Sequence, residues 1–255
     1  MKKITGWFGI TILTVLPVFS ALSCAYNIEV EGESPYLGNT LAVSGQQMWE
    51  QNHTATKISQ TYFLYKESHD IDVLVISQQS GVLPFDYGYV GMGKIINGEL
   101  SFSVDNNTIK TNLLDWNNLC LFFDYWSFWD NSKITPWDTK VNIIQFISYP
   151  PNQVASDGFL NRQRITGTRS SVSCETVFYM YADKPCSITG KSGSGHKEGY
   201  YDYFTEGDLN LSLKEGWNMI THTETYSSSF NGNAKFSVKL KNPIEKPESL
   251  KWVKF

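Results

Sequence analysis

Residues 93–104 read GKIINGELSFSV, and this stretch is the strongest single indication of the fold class. Its Asn97-Gly98 pair supplies two residues that accept positive φ, which a two-residue type I′ turn requires. From Leu100 to Val104 apolar and polar residues alternate, as they do in a strand with one buried face. The stretch therefore predicts an antiparallel β-hairpin.

Segments with the composition of strands lie on both sides of this hairpin, at residues 41–46, 71–76, 141–147, 176–181, 186–189, 208–213, 217–220 and 234–240. The chain is rich in aromatic and hydroxyl residues and poor in alanine, which favours strands over helices. Only residues 46–58 and 109–120 resemble helices, both weakly, and residues 152–171 read as a polar loop. We therefore expect an all-β protein with an antiparallel β-sandwich architecture.

The composition changes near residues 105–116, where a polar turn precedes an aromatic segment. We therefore expect two β-rich lobes, an N-terminal domain at residues 41–110 and a C-terminal β-sandwich domain at residues 111–255. Residues 24–40 contain Gly and Pro without periodicity, and we interpret them as a tether.

The segment from Leu209 to Leu213 alternates strictly, so its leucine face is expected to be buried. Residues 214–216 form a predicted turn that returns the chain as a second strand. We expect this hairpin to place Trp217 and Met219 on the same buried face as the leucines. Trp217 is then a core residue rather than a ring that stacks on a ligand.

The N-terminal residues have the layout of a secretory signal. Lys2-Lys3 precede an apolar run at residues 7–19, and the small-residue exit SALSC ends at Cys24. The run is too short for a membrane-spanning helix, which needs about 20 apolar residues. Residues 1–23 therefore predict a lipoprotein signal peptide, with Cys24 as the lipidated first residue. The alternative is cleavage after Ala25, which would give a secreted or periplasmic protein.

Five groups of framework residues are distributed over a span that includes most of the mature chain: LAVSG at 41–45, GKIINGELSF at 93–102, YMYADK at 179–184 with ITG at 188–190, LNLSLKEGWN at 209–218, and WV at 252–253. Together they resemble a group of predicted exported lipoproteins from treponemes and related spirochaetes. The resemblance implies a β-rich fold and a cell-surface context. It supplies no catalytic residues.

The charge of the mature chain limits the classes of partner. Without residues 1–23 the chain has 19 basic and 25 acidic residues, a net charge of −6, with no block of like charge. Proteins that bind nucleic acid carry basic stripes, so this class is excluded. An anionic membrane surface is excluded as the main partner for the same reason.

Four cysteines limit the disulfide chemistry. If Cys24 carries lipid, at most one bridge can form among Cys120, Cys174 and Cys186. Cys174 and Cys186 flank a predicted hairpin and are the candidate pair, because an exported protein permits disulfides. The alternative is that all three remain reduced.

The sequence contains no catalytic or metal-binding motif. Its four histidines are scattered, without the spacing of zinc ligands, and no GxSxG elbow is present. The glycines at residues 190–195 lack the strand-loop-helix context of a phosphate-binding loop. The acidic residues at 124, 130 and 138 read as polar strand ends. We therefore predict no cofactor, no metal and no enzymatic activity.

The aromatic segment at residues 116–137 is the candidate binding surface, through Trp116, Trp126, Trp129 and Trp137. Aromatic faces stack on sugar rings, but such residues also form the cores of β proteins. A shared exposed face would favour sugar binding, and burial would exclude it.

These observations favour an exported protein, lipid-anchored to the outer or inner membrane, with a non-catalytic binding or adhesion role. A host or envelope protein or a glycan is the expected partner. One alternative is a carbohydrate-binding or weakly hydrolytic module that uses the aromatic segment. Another is a structural component of the envelope.

Overall fold

The computed structural model describes residues 36–52, 61–64, 70–79, 87–119, 132–149, 158–168, 170–198, 201–229, 233–243 and 250–254. The predicted signal peptide and residues 24–35 of the predicted tether lie outside these residues.

Within the described residues the first half of the chain forms β1 (Tyr36–Gly38), β2 (Ala42–Asn52), β3 (Thr61–Leu64), β4 (Ile71–Gln78), β5 (Tyr87–Ile96), β6 (Glu99–Val104), the helix α1 (Asn106–Thr111), β7 (Leu114–Asp115) and a 3₁₀ turn (Trp116–Asn118). The second half forms β8 (Lys133–Thr135), β9 (Lys140–Tyr149), β10 (Gly158–Thr168), β11 (Ser171–Ala182), β12 (Cys186–Glu198), β13 (Tyr201–Leu213), β14 (Gly216–Ser228), β15 (Asn233–Lys241) and β16 (Lys251–Lys254). The prediction of an all-β protein is confirmed.

Eight strands close into a barrel, in the order β9-β4-β5-β6-β2-β16-β10-β11 and back to β9. Closure depends on β9, which pairs with β4 on one side and with both β10 and β11 on the other. The barrel replaces the predicted sandwich. The physical reason is that closure pairs every edge of the ring, whereas the edges of an open sheet keep unpaired backbone groups.

The interior of the barrel is filled by one hydrophobic cluster, here called the barrel core. Its buried side chains include Met48, Val73, Ile95, Phe102, Ile144, Phe146, Leu160, Tyr179, Trp217 and Trp252. The rings of Phe102, Phe146 and Trp252 contact one another, with centroids 4.6–5.9 Å apart. Edge and tilted contacts of this kind are the favourable arrangement of aromatic rings.

A second cluster, here called the outer core, lies on the opposite face of β9, β11 and β14. Strand β11 contributes to both clusters, because Tyr179 belongs to the barrel core and its neighbours Phe178 and Met180 to the outer core. After β14 the sheet continues as β15, β13 and β12, whose buried residues complete the outer core. Strands β12, β13 and β15 therefore form a second layer beside the barrel, and both layers belong to one continuous sheet.

The hairpin predicted at residues 93–104 is confirmed. Asn97 and Gly98 have φ of 52° and 80°, and Ile96 pairs with Glu99 across the turn. The alternating residues from Leu100 to Val104 are buried in the barrel core.

The hairpin predicted between β13 and β14 is wrong. Strand β15 lies between them, parallel to β13 and antiparallel to β14. The burial prediction for Trp217 is confirmed, since its exposed fraction is 0 %. Trp217 and Met219, however, face the barrel core, whereas the leucines of β13 face the outer core. Gly216 has a φ of 102°, and a Cβ there would lie 2.6 Å from the carbonyl oxygen of Gly38, so both its backbone conformation and the close approach of β1 require glycine.

The residues that the structure describes all belong to one compact unit. The barrel core draws on residues before and after position 111. The outer core, in contrast, consists of residues from Leu114 onward among those that the structure describes. The division at residues 110 and 111 stays a prediction.

Candidate functional site

A cleft of about 550 Å³ opens on the outer face of the sheet, beside the outer core. It lies where β9 changes partner: Ile144 pairs with Tyr179 of β11, and Phe146 pairs with Leu160 of β10. Gln145, between these two positions, lines the cleft. The divergence of β10 from β11 at this point creates the concave surface.

Among the residues that the structure describes, twelve line the cleft: Ile76, Tyr87, Gln145, Ile147, Phe159, Asn161, Gln163, Cys174, Thr176, Phe178, His222 and Glu224. They come from β4, β5, β9, β10, β11 and β14. The outward-facing positions of β10 supply Phe159, Asn161 and Gln163, because every second side chain of a strand points to the same face. The prediction of a polar loop at residues 152–171 is wrong for 158–168, which form β10.

The apolar part of the lining consists of aliphatic and aromatic side chains. Phe159 has an exposed fraction of 49 %, so its ring is available to a ligand. Phe178 is buried and contacts the ring of His222 edge-on, with the centroids 5.8 Å apart. Such a surface buries a ring or aliphatic group at little cost in side-chain entropy.

The polar part of the lining consists mainly of neutral amide and hydroxyl groups. The Sγ atom of Cys174 lies 3.8 Å from Oε1 of Gln163 and 3.7 Å from Oγ1 of Thr176. The Oε1 atom of Gln145 is buried and has no hydrogen-bond partner among the described residues. A buried acceptor without a donor costs about 1–3 kcal/mol. The cleft therefore offers a hydrogen-bond acceptor that a ligand could satisfy.

His222 and Glu224 lie at one side of the cleft, with Nε2 of His222 3.7 Å from Oε1 of Glu224. The nearby carboxylate would favour a charged imidazole, but burial dominates and lowers the pKa of His222 to about 3. Neutral imidazole is therefore the form present near neutral pH. The side chain of Glu224 is 37 % exposed.

Cys174 is the second reactive group in the cleft. Burial raises the pKa of its thiol, the hydrogen bond with Thr176 opposes this, and the negative charge of Glu224 adds to it. The thiolate is the reactive form of cysteine, so this environment disfavours nucleophilic chemistry.

The predicted bridge between Cys174 and Cys186 is absent, since both residues are free thiols. Cys174 lies eight residues before the end of β11 at Ala182, a distance of about 26 Å along a strand. The four residues from there to Cys186 can return at most about 14 Å. A disulfide needs Cα atoms within about 7 Å. Cys186 is instead packed in the outer core, where burial raises the pKa of its thiol to about 11.

The predicted tryptophan surface is not assembled by the residues that the structure describes. Trp116 is buried in the outer core, and its Nε1 donates a hydrogen bond to Oγ of Ser132. Trp137, in contrast, has an exposed fraction of 85 %. These two residues therefore share no exposed face. Trp126 and Trp129 lie outside the described residues, as do Cys24 and Cys120.

A second concave surface lies on β2, β4, β5 and β6, and is here called the side groove. It is lined mostly by small and apolar residues, including Val43, Leu74, Met92 and Ser103. Lys94 and Asp72 also line it, with Nζ and Oδ1 3.9 Å apart and both side chains well exposed. The cleft is the better candidate site, because it combines an exposed ring with a buried acceptor.

Several residues of the cleft could not be found from sequence motifs. The signal that was present is the alternation in β10, where Phe159, Asn161 and Gln163 interleave with Leu160 and Arg162. Arg162, which lies between Asn161 and Gln163 on the opposite face of β10, is a buried charged residue. In the sequence, both faces of this strand therefore contain polar residues.

No family model, curated protein or solved structure matches this chain. Among the described residues, no helix is both long enough and apolar enough to cross a membrane. The same residues contain no cluster of three or more His, Cys, Asp or Glu side chains that could hold a metal ion.

Proposed function

We propose that this chain is an exported protein of the bacterial cell envelope that binds a small amphipathic ligand in the cleft without catalysis. The observation that carries the proposal is the cleft itself, in which the exposed ring of Phe159 adjoins neutral amides and the buried acceptor of Gln145. Mostly apolar concave sites with a few placed polar groups are typical of small-molecule binding.

The absence of catalysis is supported by the state of the two candidate reactive groups. His222 is neutral and a weak base, because burial holds its pKa near 3. Burial also raises the pKa of the Cys174 thiol, which keeps it protonated. A general base works best with a pKa near the operating pH, and neither group meets this condition.

The envelope location is supported by the sequence of residues 1–24. A basic start, an apolar run and a small-residue exit precede Cys24, and the framework motifs resemble spirochaete lipoproteins. Under this proposal Cys24 carries the lipid that anchors the protein to the outer or inner membrane, and the folded residues are displayed at the cell surface. Cleavage after Ala25 would give a secreted or periplasmic form with the same cleft.

A binding screen with a blocked cleft tests the proposal. The full chain is screened against a library of fluorinated fragments by fluorine NMR, together with the variants Asn161→Trp and Ser103→Trp. Asn161→Trp fills the cleft, whereas Ser103→Trp introduces the same side chain in the side groove. We expect fragment binding by the wild type and Ser103→Trp, and its loss in Asn161→Trp. Equal binding by both variants, or no binding by the wild type, would contradict the proposal.

A further inference from the structure

Exposed aromatic rings lie in the cleft and beside it on the same face of the sheet. Phe159 lines the cleft and has an exposed fraction of 49 %. Tyr89 is 65 % exposed and pairs with Ile76, a lining residue of the adjacent strand β4. Residues that face each other across two strands project from the same face of the sheet. The exposed aromatic surface is therefore wider than the cleft.

A third exposed ring, that of Tyr226, extends this surface in another direction. Tyr226 is 48 % exposed and follows the lining residues His222 and Glu224 at intervals of two residues on β14. Every second side chain of a strand points to the same face. Its partner on β11 is Val172, two residues before the lining residue Cys174. The surface therefore continues beyond the cleft along β11 and β14.

The spacing of the three rings indicates an elongated ligand. Tyr89, Ile76 and Gln145 form one cross-strand row, so Tyr89 and Gln145 are two strand spacings apart, about 10 Å. Tyr226 lies four residues beyond His222, about 13 Å along β14. A compound with a single ring contacts only part of such a surface, whereas a chain of several rings can follow it.

Polar side chains lie between the rings. Asn161, Gln163 and Thr176 line the cleft, and an amide side chain can both donate and accept hydrogen bonds. The Oε1 atom of Gln145 is a buried acceptor without a hydrogen-bond partner among the described residues. An acyl chain on this surface would remove polar groups from water without replacing their hydrogen bonds, which is unfavourable. The ligand must therefore present hydrogen-bonding groups next to its apolar faces.

Sugars combine these two properties. The C–H face of a sugar ring stacks on an aromatic ring, and the hydroxyl groups at its rim donate and accept hydrogen bonds. In a linear oligosaccharide both features repeat along the chain. An extended peptide, in contrast, typically adds to an exposed sheet edge. Strands β11 and β14 each pair with a neighbour on both sides, so they offer a face and not an edge.

We propose that the cleft and the adjoining rings bind a linear oligosaccharide. Sugar rings stack on Phe159 and Tyr226, and hydroxyl groups form hydrogen bonds with Asn161 and Gln145. This assignment rests on the proposed binding function. It adds the class of the ligand, and it adds Tyr226 as a contact residue outside the cleft.

A printed array of oligosaccharides, with an array of extended peptides beside it, tests the class of ligand on the full chain. The glycan that binds most tightly is then titrated by isothermal calorimetry as its disaccharide, tetrasaccharide and hexasaccharide. We expect binding on the glycan array. We also expect the hexasaccharide to bind about tenfold more tightly than the disaccharide, which corresponds to about 1.4 kcal/mol.

Single ring deletions test the placement of the ligand. Phe159→Ala should weaken the binding of all three lengths, whereas Tyr226→Ala should weaken the hexasaccharide about tenfold and leave the disaccharide unchanged. Phe204→Ala is the matched control, because Phe204 is 53 % exposed but lies on the opposite face. Its neighbour Thr205 pairs with Phe236, which packs against the outer core. The control should bind all three lengths as the wild type does.

The oligosaccharide assignment is wrong if the wild type binds no array glycan, or if it binds extended peptides instead. It is also wrong if the disaccharide binds as tightly as the hexasaccharide, or if Tyr226→Ala has no larger effect than Phe204→Ala. In each of these cases the proposed binding function stands as long as the fluorinated fragments bind in the cleft. Failure of both the glycan array and the fragment screen would remove the proposed function as well.

Discussion

The indole Nε1 of Trp217 donates a hydrogen bond of 2.9 Å to Oδ1 of Asn106, a residue 111 positions earlier in the chain. The side-chain amide of Asn106 in turn donates to the carbonyl oxygen of Asn39. A residue of α1 thereby connects β14 to the segment that follows β1. Trp217 also contacts the ring of Tyr181 edge-on, with the centroids 5.3 Å apart.

Trp217→Ala is expected to lower the free energy of unfolding by about 3–5 kcal/mol, because it leaves a large cavity in the barrel core. It also leaves Asn106 without its indole donor. Urea denaturation followed by far-ultraviolet circular dichroism measures the change. Trp137→Ala is the control, since Trp137 is 85 % exposed and should contribute less than about 0.5 kcal/mol. Equal midpoints for the two variants would show that Trp217 is not a core residue.

Because His222 is buried in the folded protein, we expect the free energy of unfolding to depend on pH. The unfolded chain binds a proton at this residue below about pH 6.5, whereas the folded chain does not until about pH 3. Stability is therefore lost as the pH falls through this interval. Between pH 6.5 and pH 5 the loss from this residue is about 2 kcal/mol. Among the described residues Glu224 is a charged group close to His222, with Nε2 and Oε1 3.7 Å apart, and an attraction between them would reduce the loss.

This dependence is measured by urea denaturation at several pH values for the wild type and His222→Gln. The variant should show a smaller decrease in unfolding free energy between pH 6.5 and pH 5. Parallel curves for the two proteins would mean that His222 titrates normally in the folded state.

Because Cys174 and Cys186 are free thiols, we expect oxidising and reducing conditions to have little effect on the stability of the folded protein. The melting temperature should be the same with and without reductant, and mass analysis of non-reduced peptides should contain no Cys174–Cys186 link. Cys174, which is partly exposed, should react with an alkylating agent faster than the buried Cys186. A peptide that joins the two residues would contradict the structure.

Attachment of lipid at Cys24 is tested by metabolic labelling with a fatty-acid analogue. We expect label in the wild type and none in Cys24→Ser, with release of the variant from membranes or accumulation of its precursor. Each acyl CH₂ contributes about 0.8 kcal/mol to membrane binding, so the labelled protein should partition firmly into detergent. A wild type without label would favour cleavage after Ala25.

Two features of the fold were predictable from short stretches of sequence, because residues that are close together in the chain determine them. Asn97-Gly98 fixed the β5–β6 turn, and the alternation from Leu209 to Leu213 identified the buried face of β13. The closure of the barrel was not predictable in this way. It depends on distant pairings such as Met48 with Trp252, in parallel strands from opposite ends of the chain. The same limitation produced the incorrect β13–β14 hairpin.

The cleft could not be predicted for a related reason. Its lining comes from six strands, and its informative groups are common residues such as Gln145, Asn161 and Glu224, which form no motif in sequence. The tryptophans formed the predicted surface because aromatic faces can stack on sugar rings. Trp116 shows that such residues serve the core as readily as a site.

The most direct measurement of the central claim is amide NMR of the full chain titrated with a fragment that the fluorine NMR screen identifies. The account predicts shifts concentrated at the cleft, at Gln145, Asn161, Gln163, Thr176, His222 and Glu224. Resonances of Met92 and Ser103 in the side groove should remain in place. Shifts confined to the side groove, or the absence of any saturable shift at the cleft, would contradict the account.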